Sequence, residues 1–300
     1  KSSNYFQQEN RWSVDGSVSP GPKRTWETKK FMTSLMGSAY SLKLDKIDRS
    51  ALRVMIGLRK YICSQFKPNV AKALYDLFKA KNIMDFSMGW GDRLAGFFAS
   101  QNTELYVGVD PRKENHPIYR EQADYYEGQL TMFETMKKVD FYCEAAEDFY
   151  YDGYEDTFDI IFTSPPYFNV ERYSHDDNQS WVRYKDINNW NTQFLQKALD
   201  NMLPTLRSGG KLCINISDVY SPSAGKKAWS KICDPMNDFI QSYGGMEYKG
   251  CIGMEMAKRP NSGGAGTAKD TKQYTEESLQ LAKETKNKRF CEPIWVWEKK

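Results

Sequence analysis

The sequence predicts an α/β fold: a doubly wound, mostly parallel sheet of seven strands with helices on both faces. Short apolar runs alternate with segments of helical length along most of the chain. That alternation builds βαβ units and hence a parallel sheet. The first run leads into "SMGWGD", a glycine-flanked turn that opens a helix, as at the ligand-binding edge of such sheets.

Taken in order, residues 1–48 combine weak periodicity with many Ser, Gly, Pro and Lys, and read as an extended N-terminal arm that packs only in places. Residues 49–300 read as the main domain. Within 51–66, Leu52, Met55, Leu58, Tyr61 and Ile62 recur at helical spacing. A second helix starts at Pro68, a good first-turn residue. The runs at 82–86, 104–110, 139–145, 158–162 and 211–217 read as buried strands, with helices at 92–101, 117–137, 190–206 and 235–243 between or after them. Two further strands, 248–256 and 293–298, close the sheet. Between them, 257–273 is rich in Gly, Ser and Lys and reads as a mobile loop, followed by helix-like sequence, so that an insertion occupies about 257–290.

Composition narrows the function classes. With 300 residues, 40% of them hydrophobic and 14% aromatic, the chain can bury one large core. A net charge of +3 is too small for a dedicated nucleic-acid module, so any basic surface is local. The six cysteines, at 63, 143, 213, 233, 251 and 291, form no CxxC pair, and His116 and His175 are the only histidines, so the spacing predicts no metal site. Cysteines inside apolar runs point to a reducing compartment. No stretch reaches the ~20 apolar residues of a membrane span and no signal peptide is visible. The expectation is an intracellular protein, cytoplasmic in a bacterium or otherwise nuclear or viral. The first residue is Lys1, not Met, as expected of a piece of a longer polypeptide. No internal repeat is present.

Three carboxyl-end features suggest an adenosine-containing ligand. Gly89 and Gly91 flank Trp90 where backbone can approach a ligand closely; a tight βα turn is the alternative reading. Asp110 ends the second strand, where an acid can accept from both hydroxyls of a ribose. Glu144 stands at the end of the third, as a ligand contact, a helix cap or a solvated carboxylate. Leu94 replaces the last glycine of GxGxxG, which argues against a pyrophosphate seat.

After the fourth strand comes "TSPPYF". "SPPY" (164–167) there, with "DFSMGWG" after the first strand, resembles the S-adenosylmethionine-dependent amino-methyltransferases that modify an exocyclic amine of a nucleobase. The resemblance covers roughly 67–217 and the two terminal strands, in the motif order of the family's gamma arrangement. Ser87 stands where the family commonly has Phe. The resemblance implies a Rossmann-like class I methyltransferase fold and S-adenosylmethionine held by Asp85, Ser87, Gly89, Gly91, Asp110 and Glu144. It implies catalysis by Ser164, Pro165, Pro166 and Tyr167, with the Ser form typical of cytosine-N4 enzymes acting on DNA. Adenine-N6 methylation of DNA or RNA, methylation of a glutamine amide in protein, and a nucleic-acid-binding subunit without activity are the alternatives.

The chemistry suits these residues. An exocyclic amine is a poor nucleophile because its lone pair is delocalised into the ring. The Ser164 oxygen and the Pro165 carbonyl can accept its two N–H groups and favour a pyramidal nitrogen. The prolines fix φ near −65° and bring no competing N–H, and Tyr167 offers a face for an extruded base. A rigid turn that only ends a strand is the alternative reading of the motif. Beyond it, Phe168, Arg172 and Tyr173 lie in an aromatic and basic loop suited to a base and its phosphates, and Lys226, Lys227, Lys258 and Arg259 add charge after later strands. The expected partner is nucleic acid, DNA ahead of RNA, and not a membrane. No segment is large enough for a separate recognition domain, which leaves room for a recognition subunit or a larger polypeptide.

Overall fold

A computed structural model of the chain describes residues 2–16, 19–130, 136–221, 228–256 and 291–300. Its central sheet has seven strands: β1 (Asn82–Asp85), β2 (Leu105–Val109), β3 (Lys138–Tyr142), β4 (Phe158–Thr163), β5 (Leu206–Asn215), β6 (Met246–Glu255) and β7 (Cys291–Lys299). They lie side by side as β6-β7-β5-β4-β1-β2-β3. The pairs β1–β2, β1–β4, β2–β3 and β4–β5 are parallel. Only β7, antiparallel to β5 and β6, runs against the rest. From β1 the chain moves outward to β3, then returns to lay β4 beside β1. The reversal opens a crevice at the carboxyl ends of β1 and β4, where open α/β sheets bind ligands.

Both faces of the sheet are covered, and the side-chain alternation shows how. Met84, Val107 and Ile161 enter one apolar core, while their neighbours Ile83, Tyr106, Ile160 and Phe162 enter the other. Successive strand residues point to opposite faces, so a strand apolar at every position is buried on both. All six residues of β4 are buried, the apolar ones against the two cores and Asp159 by accepting from the Lys81 and Asn82 amides, both at 2.7 Å. Each large side chain so buried contributes roughly 1.5–3 kcal/mol.

The N-terminal arm departs from expectation. It is helical, with α1 (Ser2–Phe6), α2 (Gln8–Trp12), α3 (Pro22–Glu27) and α4 (Lys29–Ser41); α5 (Arg49–Arg59) follows it, in the segment where helical spacing was read. Helices of five or six residues carry too little periodicity to be read from sequence. The helix expected over 51–66 stops at Arg59, and the chain from 61 to 67 runs irregularly beneath the first βα turn. Pro68 does open a helix, α6 (Pro68–Leu77). The helix after β1 is α7 (Asp92–Ala99) and that after β2 is α8 (His116–Glu127), shorter than the expected 117–137. The helix between β4 and β5 contains a π-helical stretch, Trp190–Gln196. At the start of the helix Cys233–Tyr243, Asp218 Oδ1 accepts from the Ile232 and Cys233 amides at 2.9 and 3.0 Å. Lys226, Lys227, Lys258, Arg259 and the whole 257–290 insertion lie outside the described residues. No helix among the described residues is long and apolar enough to cross a membrane.

Candidate active site

The first wall of the site is the turn after β1. Asp85, with no exposed surface, was expected to face a cofactor, but it points into the protein. Its carboxylate accepts from Arg93 Nε at 2.8 Å, Arg93 Nη2 at 3.2 Å, Tyr106 Oη at 2.6 Å and the Ser87 amide at 3.2 Å. Arg93 also donates to the Ser87 carbonyl and lies over the Phe66 ring. Asp85 therefore shapes the turn and does not line the cleft. A buried carboxylate needs such a partner, since an unpaired charge there is very costly.

Gly89 and Gly91 both have left-handed backbone, with φ of 60° and 73°. The Gly89 amide donates to Asp110 Oδ2 at 2.9 Å, and its carbonyl accepts from Asn115 Nδ2 at 2.9 Å and Tyr119 Oη at 2.5 Å. Gly91 serves packing instead of ligand contact, because a Cβ there would lie 2.1 Å from Gln122 Oε1. Asp110 holds its second oxygen against the Arg112 amide at 2.9 Å. Burial raises its pKa, and the Arg112 and Gly89 amides oppose that rise.

The second wall follows β4. Ser164 is half-buried, and its Oγ donates to Asn215 Oδ1 at 3.4 Å. Asn215 Nδ2 is committed to the Pro293 carbonyl at 3.0 Å, which fixes the amide's orientation. The serine hydrogen thus goes to Asn215, and the oxygen keeps its lone pairs for another donor. Pro165 is buried and Pro166 lines the cleft. The elbow closes with the Phe168 amide on the Pro166 carbonyl at 3.1 Å. Phe168 has φ of 51°, a region that bulky residues rarely occupy and that stores strain at functional turns.

Two expectations for this wall are corrected. Tyr167 does not line the cleft; it packs against the apolar core, with its hydroxyl pushed up in pKa by burial and then by the Glu292 carboxylate. Phe168 is 8% exposed and sits 6.1 Å from the Trp190 ring, so it anchors the elbow and is not available to nucleic acid.

Residues 171–181, expected from sequence to lie beside the pocket and hold a base and its phosphates, form a roof over it. Tyr173 packs on Trp90, ring centroids 5.8 Å apart, and its hydroxyl donates to Glu171. Glu171 also accepts from the Ser64 amide at 3.0 Å and from Tyr61, which ties the arm to the roof. Arg172 lies 5.1 Å over the Trp181 ring, and its backbone pairs with Asp15. Both Arg172 and Tyr173 are thus structural parts of the roof, Tyr173 lining the cleft from above. Asn178 Nδ2 donates to the Pro111 carbonyl at 2.9 Å, while Asn178 Oδ1 and Gln179 Nε2 are buried at the cleft wall with no protein partner.

Glu144 is exposed and outside the cleft. Three residues on, Glu147 lines it, with its pKa raised by burial despite the Arg183 guanidinium 3.1 Å away. About 650 Å³ of space lies within the cleft out to its mouth, open solvent included. It joins Ser87, Gly89 and Asp110 to Ser164 and Pro166. Trp90, Arg112, Asn115, Gln179, Trp181 and Phe194, not singled out as site residues from sequence, also line it.

No protein-family model matches the chain, and no curated protein matches it in sequence. Among solved structures, the methyltransferase domain of bacterial CtHen1-C aligns with a TM-score of 0.46 and 11% identity, over 77% of this chain and 95% of its own. TrmN from Thermus thermophilus aligns at 0.42 and 12%, over 78% of this chain and 49% of its own. A Listeria monocytogenes protein, proposed to be an S-adenosylmethionine-dependent methyltransferase, aligns at 0.38 and 11%, over 77% and 99%. Similarity this low assigns no family, cofactor or substrate to the chain.

Proposed function

We propose that this chain is an S-adenosylmethionine-dependent methyltransferase acting on the exocyclic amine of a nucleobase, with N4 of cytosine in DNA as the target. The observation that carries the reading is that the Ser164–Pro166 elbow and the Ser87–Gly89 turn, 75 residues apart in sequence, line one cleft at the sheet's reversal point.

The residues present fit the cofactor. Asp110 at the cleft can take the ribose hydroxyls. The turn at Gly89 admits close approach, with nothing nearer than 3.8 Å to a Cβ placed there. The orphaned polar atoms of Asn178 and Gln179 offer an acceptor and a donor to a heteroaromatic edge. When bound, the cofactor supplies an electrophilic methyl group on a sulfonium. Ser164, its hydrogen taken by Asn215, accepts one amine N–H. The Pro165 carbonyl accepts the other. With Tyr167 turned into the core, the flat surfaces for an extruded base are Tyr173, Trp181 and Phe194, which line the cleft. Holding amine and methyl donor in line accounts for most of the rate, since orientation is worth ~7–11 kcal/mol.

The test is incubation with tritiated S-adenosylmethionine and separate DNA, RNA and protein pools, followed by nucleoside mass spectrometry. Label in DNA recovered as N4-methylcytosine is the expected result. Label as N6-methyladenine, or in RNA, would keep the reaction and change the substrate. Label confined to protein, or on a base carbon, would overturn the reading. Failure to bind the cofactor in calorimetry would leave a nucleic-acid-binding subunit without activity.

A further inference from the structure

The arm carries a charge distribution unlike the rest of the chain. Residues 23–60 hold ten Lys and Arg against three Asp and Glu, a net +7 within a chain whose total is +3, so the remainder carries −4. Nine of the ten cations are exposed. They decorate α3 to α5, of which α4 and α5 pack on each other around Leu35, Ala39 and Met55, a cluster separate from the two sheet cores.

Three features of this unit work against its own stability. Lys29 and Lys30 occupy the first turn of α4 with no acid there, and Arg49 that of α5, where the Asp48 cap, accepting from the Ala51 amide at 2.9 Å, offsets it in part. Cations there oppose the helix dipole. Gly37 and Gly57 sit within the helices, exposed, and a Cβ added at either would meet nothing within 4 Å, so no packing among the described residues demands glycine there. Glycine is a poor helix former, kept where another backbone comes close. Trp26 and Tyr40 are 69% and 93% exposed on the same unit. On α5, Arg49, Arg53 and Gly57 follow one another at four-residue spacing and share a face; on α4, Lys30, Thr33 and Gly37, spaced three and four apart, also share one.

The unit is fastened at the cleft. Trp90 Nε1 donates to the Ser64 carbonyl at 3.0 Å, just beyond α5, and Asp15–Gly16, just before α3, pairs with Glu171–Arg172 of the roof. Tyr61, Cys63, Trp90 and Tyr173 share one small apolar cluster.

We propose that α3 to α5 form the docking surface for the phosphate backbone of duplex DNA. The cations supply sequence-independent attraction, and the two exposed glycines let a sugar–phosphate strand lie against the helices. The identity of the polyanion rests on the nucleobase reading above. An anionic membrane is the weaker fit, because the apolar sides of α4 and α5 are spent on each other, and the exposed Trp26, Tyr40 and Val54 stand singly on three different helices and not as one apolar face.

The test uses the full chain, a labelled 30-base-pair duplex of random sequence and no cofactor. Binding is titrated across salt for the wild type and for the combined variant Lys29→Gln, Lys30→Gln, Arg49→Gln, Arg53→Gln. The expected result is about a tenfold or greater loss of affinity near 0.1 M salt and a slope of log K against log salt shallower by about three to four. Calorimetric affinity for S-adenosylmethionine should stay unchanged, which also shows that the variant is folded. A second variant, Gly37→Ala with Gly57→Ala, should melt higher and bind the duplex more weakly. Unchanged affinity and slope in the quadruple variant would overturn the proposal, as would tighter binding to phosphatidylserine vesicles than to DNA. Should no base be methylated in any pool while the salt slope still falls, the docking surface stands and the catalytic reading fails.

Discussion

The two walls of the cleft are held in place by different means. On the Gly89 side, the groups around the proposed cofactor seat are fastened by short hydrogen bonds: Asp110 by two backbone amides, the Gly89 carbonyl by two side chains, and Asp85 beneath them by four donors. On the Ser164 side, the hydroxyl has one long bond of 3.4 Å, and the elbow takes its shape from two prolines and from Phe168 forced to a φ of 51° by its place against Trp190. The first wall is a satisfied polar network, which rigidifies because each member is bonded. The second is a sterically defined turn that leaves its acceptors unspent. A binding seat gains from being fully satisfied in advance; a site that must grip an incoming amine gains from having acceptors left over.

Breaking the polar wall should cost the most. Arg93→Ala leaves the Asp85 carboxylate buried beside Tyr106 without its cation, and should destabilise the fold by about 3–5 kcal/mol in chemical denaturation. A loss below about 1 kcal/mol would mean that the network does not hold the turn.

Asp92 sharpens the same contrast through pH. Burial pushes its carboxyl up to about 6, although the Ser3 hydroxyl at 2.8 Å and amide stabilise the ionised form. A carboxyl raised in the folded state is one that the fold prefers protonated. Between roughly pH 4 and 6 the native protein binds more protons than the unfolded chain, so stability falls as pH rises through that window and stays reduced above it. Asp92→Asn should flatten this dependence and recover stability on the order of 3 kcal/mol at pH 7, where the wild type carries the full penalty. Identical pH profiles of melting temperature for the two proteins would contradict the assignment.

Asp110→Ala removes one ligand-facing group and its hold on Gly89. It should weaken S-adenosylmethionine binding about 10- to 100-fold, or roughly 1.4–2.7 kcal/mol, in calorimetry. Its effect on folding should be smaller than that of Arg93→Ala. The reverse order would erase the distinction between seat and support.

The sheet is legible in the sequence because short apolar runs recur between segments of helical length, with two of the helices announced by Pro68 and the glycine turn. Ser87, Gly89, Asp110, Ser164 and Pro166 are legible as a group, since strand ends converge on one edge in any fold of this kind. Other residues are not. Asp85 and Asp110 look alike in sequence, each closing a strand, and only the approach of Arg93 from the following helix turns one of them inward. Glu144 and Glu147 differ by three positions, less than the uncertainty in where β3 ends. Tyr167 reads as a stacking surface because the motif faces a cleft, but its ring packs against the apolar core, a side-chain direction that the motif itself does not reveal. The roof at 171–181 has no periodic signal, and its place over the cleft depends on contacts with Asp15, Gly16 and Tyr61, which lie more than 100 residues away in sequence.

The most direct measurement is a paired one on Ser164→Ala: the single-turnover rate of methyl transfer to DNA, and the calorimetric affinity for S-adenosylmethionine. The account predicts a rate about 100-fold lower, or roughly 2.7 kcal/mol in the barrier, with cofactor affinity unchanged, because the serine oxygen contacts only the amine. An unchanged rate, or an equal loss of rate and cofactor affinity, would contradict it.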